Sequence, residues 1–439
     1  MPKPMHLGWF FQGSAAQAWG SQFAGHTHKH WQKPDLAIDL AKAMERASMD
    51  YILLEDAPYI GDFYNGSMEV YLARAMANPR QDPVVVTTLI LNATQRLGVC
   101  TTLPTYGLHP YPLARMIGTL DQISNGRGGW NMVTGNSLRA AQNFGLEQLA
   151  EHDLRYEMAD EYMEAVYSLW DSWDPDAIVA NTETGVFADH TKVRSHDFKG
   201  QWYATRGPLN SGPAPQGRPV IAQAGGSPRG RQFAATHADT VVGVGRTPQE
   251  MKAYRDDIRD RARKIGRDPD SIKVLFNIHP VVGATKAEAD DRVAARRAYV
   301  EAHPEEHLAL MSKLTNNDFG QFPMDQPLTA DSLSTNGSLV GLAEFIELNK
   351  GRTLREAAVI GATQYFGKEG LAGTPDQVAE RMGEIMEFVG GDGFLISLDD
   401  VNRRTIADIT DGLVPALQRR GLARTEYGYE SFRENLLEF

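Results

Sequence analysis

The sequence predicts an α/β barrel in which eight parallel strands alternate with helices, and three observations predict it. Eight short apolar runs of strand character recur along the 439 residues. Amphipathic segments of helical period separate them, the pattern of parallel strands joined by crossover helices. Several of those segments open with a helix-start signature. Length alone suggests about three domains at roughly 150 residues each, but barrels of this class with insertions exceed 400 residues as one unit.

The strand runs are residues 6–11, 50–54, 97–102, 129–134, 219–224, 240–244, 273–278 and 393–397. Between them, Leu36, Leu40, Ala43 and Ala47 share one helical face, as do Tyr156, Ala159, Met163, Val166 and Trp170, and later Val378, Met382, Ile385 and Val389. Such stripes would pack on the outside of the barrel. Thr247, Thr285 and Thr374 are each followed three residues on by Glu or Gln (Glu250, Glu288, Gln377), which predicts a capping box at each; Pro248 and Pro375 occupy the first helical position in two of them. Two stretches exceed a minimal barrel: residues 174–217, rich in Gly, Pro and Asn, and residues 283–373, which mix helix with polar loop. The expectation is one TIM (β/α)8 domain over residues 1–439 with these two segments as insertions, the second placed to act as a lid.

Formal net charge is −12, from 56 acidic and 44 basic residues, which disfavours a nucleic-acid partner. The densest basic group, residues 255–264, interleaves with Asp256, Asp257 and Asp260, as on a solvated helix face. Cys100 is the single cysteine, so no internal disulfide forms, and its place within a strand run marks it as core. No stretch approaches 18 uninterrupted apolar residues, and the short run 7–11 is too brief for a signal peptide. The expectation is a cytoplasmic protein without a membrane partner.

Barrels of this class work at the carboxyl ends of their strands. There the second run ends in Leu54-Glu55-Asp56, the third in Thr101-Thr102, the fourth in Trp130-Asn131-Met-Val-Thr134 and the fifth in Gln223-Ala224-Gly225-Gly226-Ser227. Polar groups gathered on one rim suit a heterocycle that needs hydrogen bonds along one edge. The fifth run passes through glycines into a helix, where backbone N–H groups can hold an anion; the same residues also read as a plain tight turn. His26, His28 and His30 have the alternation of metal ligands but lie some fifteen residues beyond the first strand run, with no further ligand set, so no metal is expected. Nucleophile-elbow, P-loop and dinucleotide fingerprints are absent, which leaves the catalytic residue unassigned and points to a bound cofactor. Trp9, Phe10, Phe11, Trp19, Phe23 and Trp31 crowd the first run and the loop after it; because strand residues alternate faces, Phe10 and Phe11 are the expected substrate-pocket pair only in part.

Taken together, Met5-His-Leu-Gly-Trp-Phe-Phe11, Leu120-Asp-Gln-Ile-Ser-Asn-Gly-Arg127, Gly129-Trp-Asn-Met-Val-Thr134, Glu151-His-Asp-Leu-Arg-Tyr156, Leu169-Trp-Asp-Ser-Trp173 and the stretch from Pro215 to Arg231 resemble the bacterial-luciferase superfamily. Within it they are similar to the nitrilotriacetate and dibenzothiophene-sulfone monooxygenase branch. The resemblance implies the oxygenase of a two-component system: FMNH2 arrives from a separate NADH:FMN reductase, a C4a-peroxyflavin forms with O2, and one oxygen atom enters a small aromatic, heterocyclic, organosulfur or amine substrate. It implies that Asp56, Thr102 and Asn131 contact the isoalloxazine or ribityl chain, that Arg155, Tyr156, Gly225, Gly226 and Ser227 hold the phosphate, and that the protein is a homodimer or homotetramer. The sequence departs from the pattern at Gly135, where similar proteins often carry Ser, and in its ending Arg433-Glu-Asn-Leu-Leu-Glu-Phe439. The alternatives are a deazaflavin-dependent oxidoreductase on the same barrel and a metal-dependent barrel hydrolase.

Overall fold

The structure is a computed structural model that describes residues 3–12, 19, 25, 27–328 and 333–439. Eight strands close a parallel barrel in chain order: β1 His6–Phe11, β2 Tyr51–Leu54, β3 Gly98–Pro104, β4 Gly128–Val133, β5 Val220–Gln223, β6 Thr240–Gly243, β7 Lys273–Ile278 and β8 Gly393–Ile396. Each lies within an expected run or within two residues of one. β3 reaches Pro104 because it pairs with β4 as far as Val133. The chain is an α/β barrel, as the alternation of runs indicates.

Helices α1 Asp35–Arg46, α2 Pro83–Ala93, α3 Pro110–Ile123, α4 His152–Trp170, α5 Pro228–His237 and α6 Pro248–Lys264 follow the first six strands. All three apolar stripes are buried against the strands. Full capping boxes form at Thr247 and Thr374. At Thr285 the hydroxyl accepts from the Glu288 N–H, but the Glu288 carboxylate accepts from the N–H of Ala284 and is paired with Arg292 and Arg404, so the reciprocal bond is displaced by one residue. The solvated face expected at residues 255–264 is also corrected: Arg255 and Arg259 are buried on the inner side of α6, where Arg255 holds Asp392 through two bonds of 3.1 Å. Charge alternation looks the same in sequence whether its partner is water or a distant carboxylate.

Alternation along the strands divides the core. Leu7, Trp9 and Phe11 face the helices, while Tyr51, Leu53, Cys100, Val220, Ala222, Val242, Leu275 and Leu395 fill the barrel interior. The amino-terminal end is closed by the helix Phe432–Leu436, whose Phe432 and Leu436 enter the interior cluster. Gly98 makes room for them, since a Cβ there would lie 2.6 Å from the Phe432 ring. Around this end, Asp50, Asp239 and Asp392 each precede an even-numbered strand and accept the backbone N–H of the odd-numbered neighbour, at Leu7, Ile221 and Val274 respectively. Each is also paired with a cation: Asp50 with Arg424, Asp239 with Arg433, Asp392 with Arg255.

Residues 174–217 form two short antiparallel hairpins, Ile178–Asn181 with Val186–Ala188 and Phe198–Lys199 with Ala204–Thr205. The second long segment carries α7 Lys286–Ala302, α8 Pro304–Thr315, α9 Leu339–Asn349 and α10 Leu354–Thr363. Its two ends are joined by Val281–Val282 pairing with Ala372–Gly373, and Leu308, Met311, Phe319, Leu342, Phe345 and Leu354 give it an apolar core of its own. The chain then returns through α11 Pro375–Val389 to β8. Among the described residues no helix is long and apolar enough to cross a membrane.

Candidate active site

The carboxyl-terminal mouth of the barrel divides into two halves. On the β2 to β5 half, Thr102 and Asn131 project inward from neighbouring strands in register, and Asn131 Nδ2 donates to Thr102 Oγ1 at 2.8 Å. Asn131 Oδ1 is buried without a partner, as is Asn277 Oδ1, which projects inward from β7. Unpaired buried amide oxygens are costly, and two at one mouth are acceptors waiting for a donor.

Asp56 lies just past β2 with its carboxylate 3.7 Å from Arg80, whose closer partner is Glu55 at 2.7 Å. Burial pushes Asp56 up to about 6, with Arg80 opposing the shift and Glu55 adding to it. Tyr106, which sequence reasoning missed, interacts electrostatically with both Asp56 and Arg155, and burial pushes its phenol up to about 12. It also accounts for Gly135. That residue has φ +77°, and a Cβ on it would lie 2.2 Å from Tyr106 Cε1. The ring fills the space a Ser side chain would take, so position 135 has no room for one.

The turn after β5 is tied from behind: Tyr254 Oη donates to Gly225 O at 2.7 Å and Arg231 Nε to Gly226 O at 2.9 Å. Ser227 caps α5 by accepting from the Gly230 N–H at 3.0 Å. Among the described residues, the N–H groups of Gly225, Gly226 and Ser227 donate to nothing. With carbonyls tied back and amides free beside a helix N-terminus, the turn is able to receive an anion. Tyr156 stands against it, receiving Gln223 Nε2 at 3.5 Å, and a Cβ at Gly230 would be 2.8 Å from the Tyr156 hydroxyl. Arg155 serves a second purpose as well: its guanidinium binds Asn336 Oδ1 at 3.0 Å and Asn336 O at 3.1 Å, fastening the second insertion over this half. Val340 of α9 completes the cover, 3.1 Å from where a Gly226 Cβ would be.

The other half, from β6 round to β1, opens into a cavity of about 740 Å³ roofed by the insertion. Gln12, Arg246, His279 and Asp399 reach it from the barrel rim; Arg296, His307, Lys313, Glu344 and Tyr365 reach it from above. Burial lowers His279 and takes His307 down to about 4, so both imidazoles are neutral at neutral pH. None of these residues was singled out from sequence, because each belongs to an unremarkable local context.

The aromatic cluster expected near β1 is dispersed. Phe10 points inward and packs on the interior cluster, but Phe11 is corrected to the strand–helix layer beside Trp9, where alternation turns it away from the mouth. Trp19 borders the cavity and Trp31 is exposed. Phe23 and His26 lie outside the described residues; His30 is exposed. One possible metal-binding group stands among the described residues, His303 with Glu305 and Glu306, but Arg74 already contacts His303 at 3.3 Å and Glu306 at 3.2 Å.

The family model for luciferase-like monooxygenases matches residues 5–392. The dibenzothiophene-sulfone monooxygenase of Rhodococcus erythropolis (strain XP) is 34% identical over 452 residues, covering 99% of this chain and 96% of that protein. Component A of the nitrilotriacetate monooxygenase of Aminobacter aminovorans is 32% identical over 445 residues, with coverage of 99% and 96%. Among solved structures, a riboflavin lyase crystallised with modified FMN and riboflavin superposes with a TM-score of 0.87 at 30% identity, covering 100% of this chain and 96% of that one.

Proposed function

The chain belongs to the luciferase-like monooxygenase family, and within it we propose that this monooxygenase is the oxygenase of a two-component system using reduced FMN from a separate NADH:FMN reductase. The observation that carries the reading is the β2 to β5 half of the mouth, where an unpaired amide acceptor and an empty-handed amide cradle lie at the two ends of one covered surface. The word "component" in the name of the nitrilotriacetate relative supports a reductase partner, and the FMN in the riboflavin lyase structure supports the flavin.

Reduced FMN, when bound, supplies the two electrons that divide O2 between one oxygen atom added to substrate and one released as water. Asn131 Oδ1 would accept a hydrogen bond from a donor on the flavin ring, and the Thr102 hydroxyl would extend that polar edge. The amides of Gly225, Gly226 and Ser227, the N-terminus of α5 and Tyr156 Oη would hold the phosphate. Arg155 contributes its charge there while keeping the insertion in place through Asn336. Asp56, with its pKa near neutrality, can hold or release a proton beside the flavin. The insertion covers this half through Asn336 and Val340, and an oxygen-activating site needs such cover against water.

Anaerobic titration of the purified protein with FMNH2, followed by admission of O2, tests the reading. Saturable FMNH2 binding, and on aeration a substrate-dependent fall in H2O2 release, are expected. Failure to bind FMNH2, with binding of a reduced deazaflavin instead, would overturn it.

A further inference from the structure

Four cationic side chains converge on the cavity from four separate places: Arg74 beside the short helix Glu69–Ala73, Arg246 after β6, Arg296 on α7 and Lys313 on α8. Three of them have a carboxylate partner. Arg74 pairs with Glu306 at 3.2 Å, Arg246 with Glu344 at 2.5 Å and Arg296 with Asp399 at 2.7 Å. Lys313 has none: among the described residues its ammonium makes no ion pair and no hydrogen bond, and it lies over the Tyr59 ring, 5.0 Å from the centroid. Glu55, the acid that acts on it most, is committed to Arg80 at 2.7 Å. The one further carboxylate of the lining, Asp400, is exposed at the edge. Among the described residues Lys313 is thus the one cation of the lining without a carboxylate partner.

We propose that this cavity binds a substrate carrying a carboxylate, with the Lys313 ammonium as its counter-ion. The proposal rests on the oxygenase reading and names the substrate class for it. A volume of about 740 Å³ suits a small organic molecule. Lys313 stands where the cavity meets the Glu55 and Asp56 side of the mouth, so a carboxylate anchored there places the rest of the molecule beside the proposed flavin surface. An alkane or a neutral arene would instead leave the ammonium desolvated and unpaired, which works against binding. Burial already lowers the Lys313 pKa, as expected for an ammonium without a partner.

Calorimetric titration with a thioether dianion, thiodiglycolate, and with its neutral dimethyl ester tests the proposal. The dianion is expected to bind at least tenfold more tightly than the ester. Lys313→Met is expected to abolish that preference, and Lys313→Arg to retain most of it. Equal affinities in the unsubstituted protein, no binding of the dianion, or a preference that survives Lys313→Met would overturn it. FMNH2 titration of the same preparation separates the two readings. A protein that discriminates the probes without binding FMNH2 keeps the pocket and loses the flavin role; one that binds FMNH2 without discriminating does the reverse.

Discussion

The two ends of the barrel handle buried polar groups in opposite ways. At the amino-terminal end Asp50, Asp239 and Asp392 are each shared between a strand N–H and an arginine. At the carboxyl-terminal end, among the described residues, Asn131 Oδ1 and Asn277 Oδ1 have no partner, Lys313 has no counter-ion, and the 225–227 amides are unspent. Asp50 and Asp56 make the contrast at the two ends of one strand: burial raises both, but at Asp50 Arg424 and His6 outweigh it and hold the carboxyl below its usual value, whereas at Asp56 burial prevails. One end is satisfied by the fold itself and stabilises it; the other is completed by what it binds.

Removing a satisfied group should have the largest effect. Asp392→Ala leaves Arg255 buried without its carboxylate and should cost roughly 3–5 kcal/mol of stability. Urea unfolding measures this, and a loss under about 1 kcal/mol would mean that the two ends do not differ in kind.

Asp56→Asn should move stability the other way, by up to roughly 3 kcal/mol. Burial raises the folded-state pKa from 3.8 to about 6, so ionisation is penalised in the fold. Below about pH 4 both states are protonated and the penalty is nil; it grows as pH rises to about 6 and is constant above. Melting temperatures of the two proteins should thus coincide near pH 4 and separate in favour of Asn above pH 6. A gap that is independent of pH would show that Asp56 is not a penalised carboxylate.

The smallest effect sharpens the contrast most. Asn131→Ala removes an unpaired acceptor together with the single Nδ2 bond to Thr102, so unfolding should change by about 1–2 kcal/mol, less than at Asp392. FMNH2 affinity should nevertheless fall about tenfold, or roughly 1.4 kcal/mol. A large stability loss with unaltered FMNH2 binding would place Asn131 with the structural end instead.

Barrel strands were legible because they are buried on both faces and read as continuous apolar runs, and the caps at Thr247 and Thr374 because a box is a three-residue affair. The β5 turn was legible as a choice between two readings, which the direction of its carbonyls narrows. Arg255 was misread because its partner lies 137 residues away. Phe11 was misassigned because adjacent strand residues face opposite sides, and only the pairing of β1 with β2 and β8 tells which is which. Gly135 looked like a missing hydroxyl until Tyr106 was seen to occupy the space.

Period, capping and turn chemistry act over a few residues, and so the amino-acid order was enough for the eight strands, their parallel arrangement and the rim on which polar groups gather. The cavity and its charge balance belong to another scale. Arg246 with Glu344, Arg296 with Asp399 and Lys313 over Tyr59 meet only after the barrel has closed and the insertion has folded across it. Pair energies depend on distance in space, and nothing local in the chain encodes those distances.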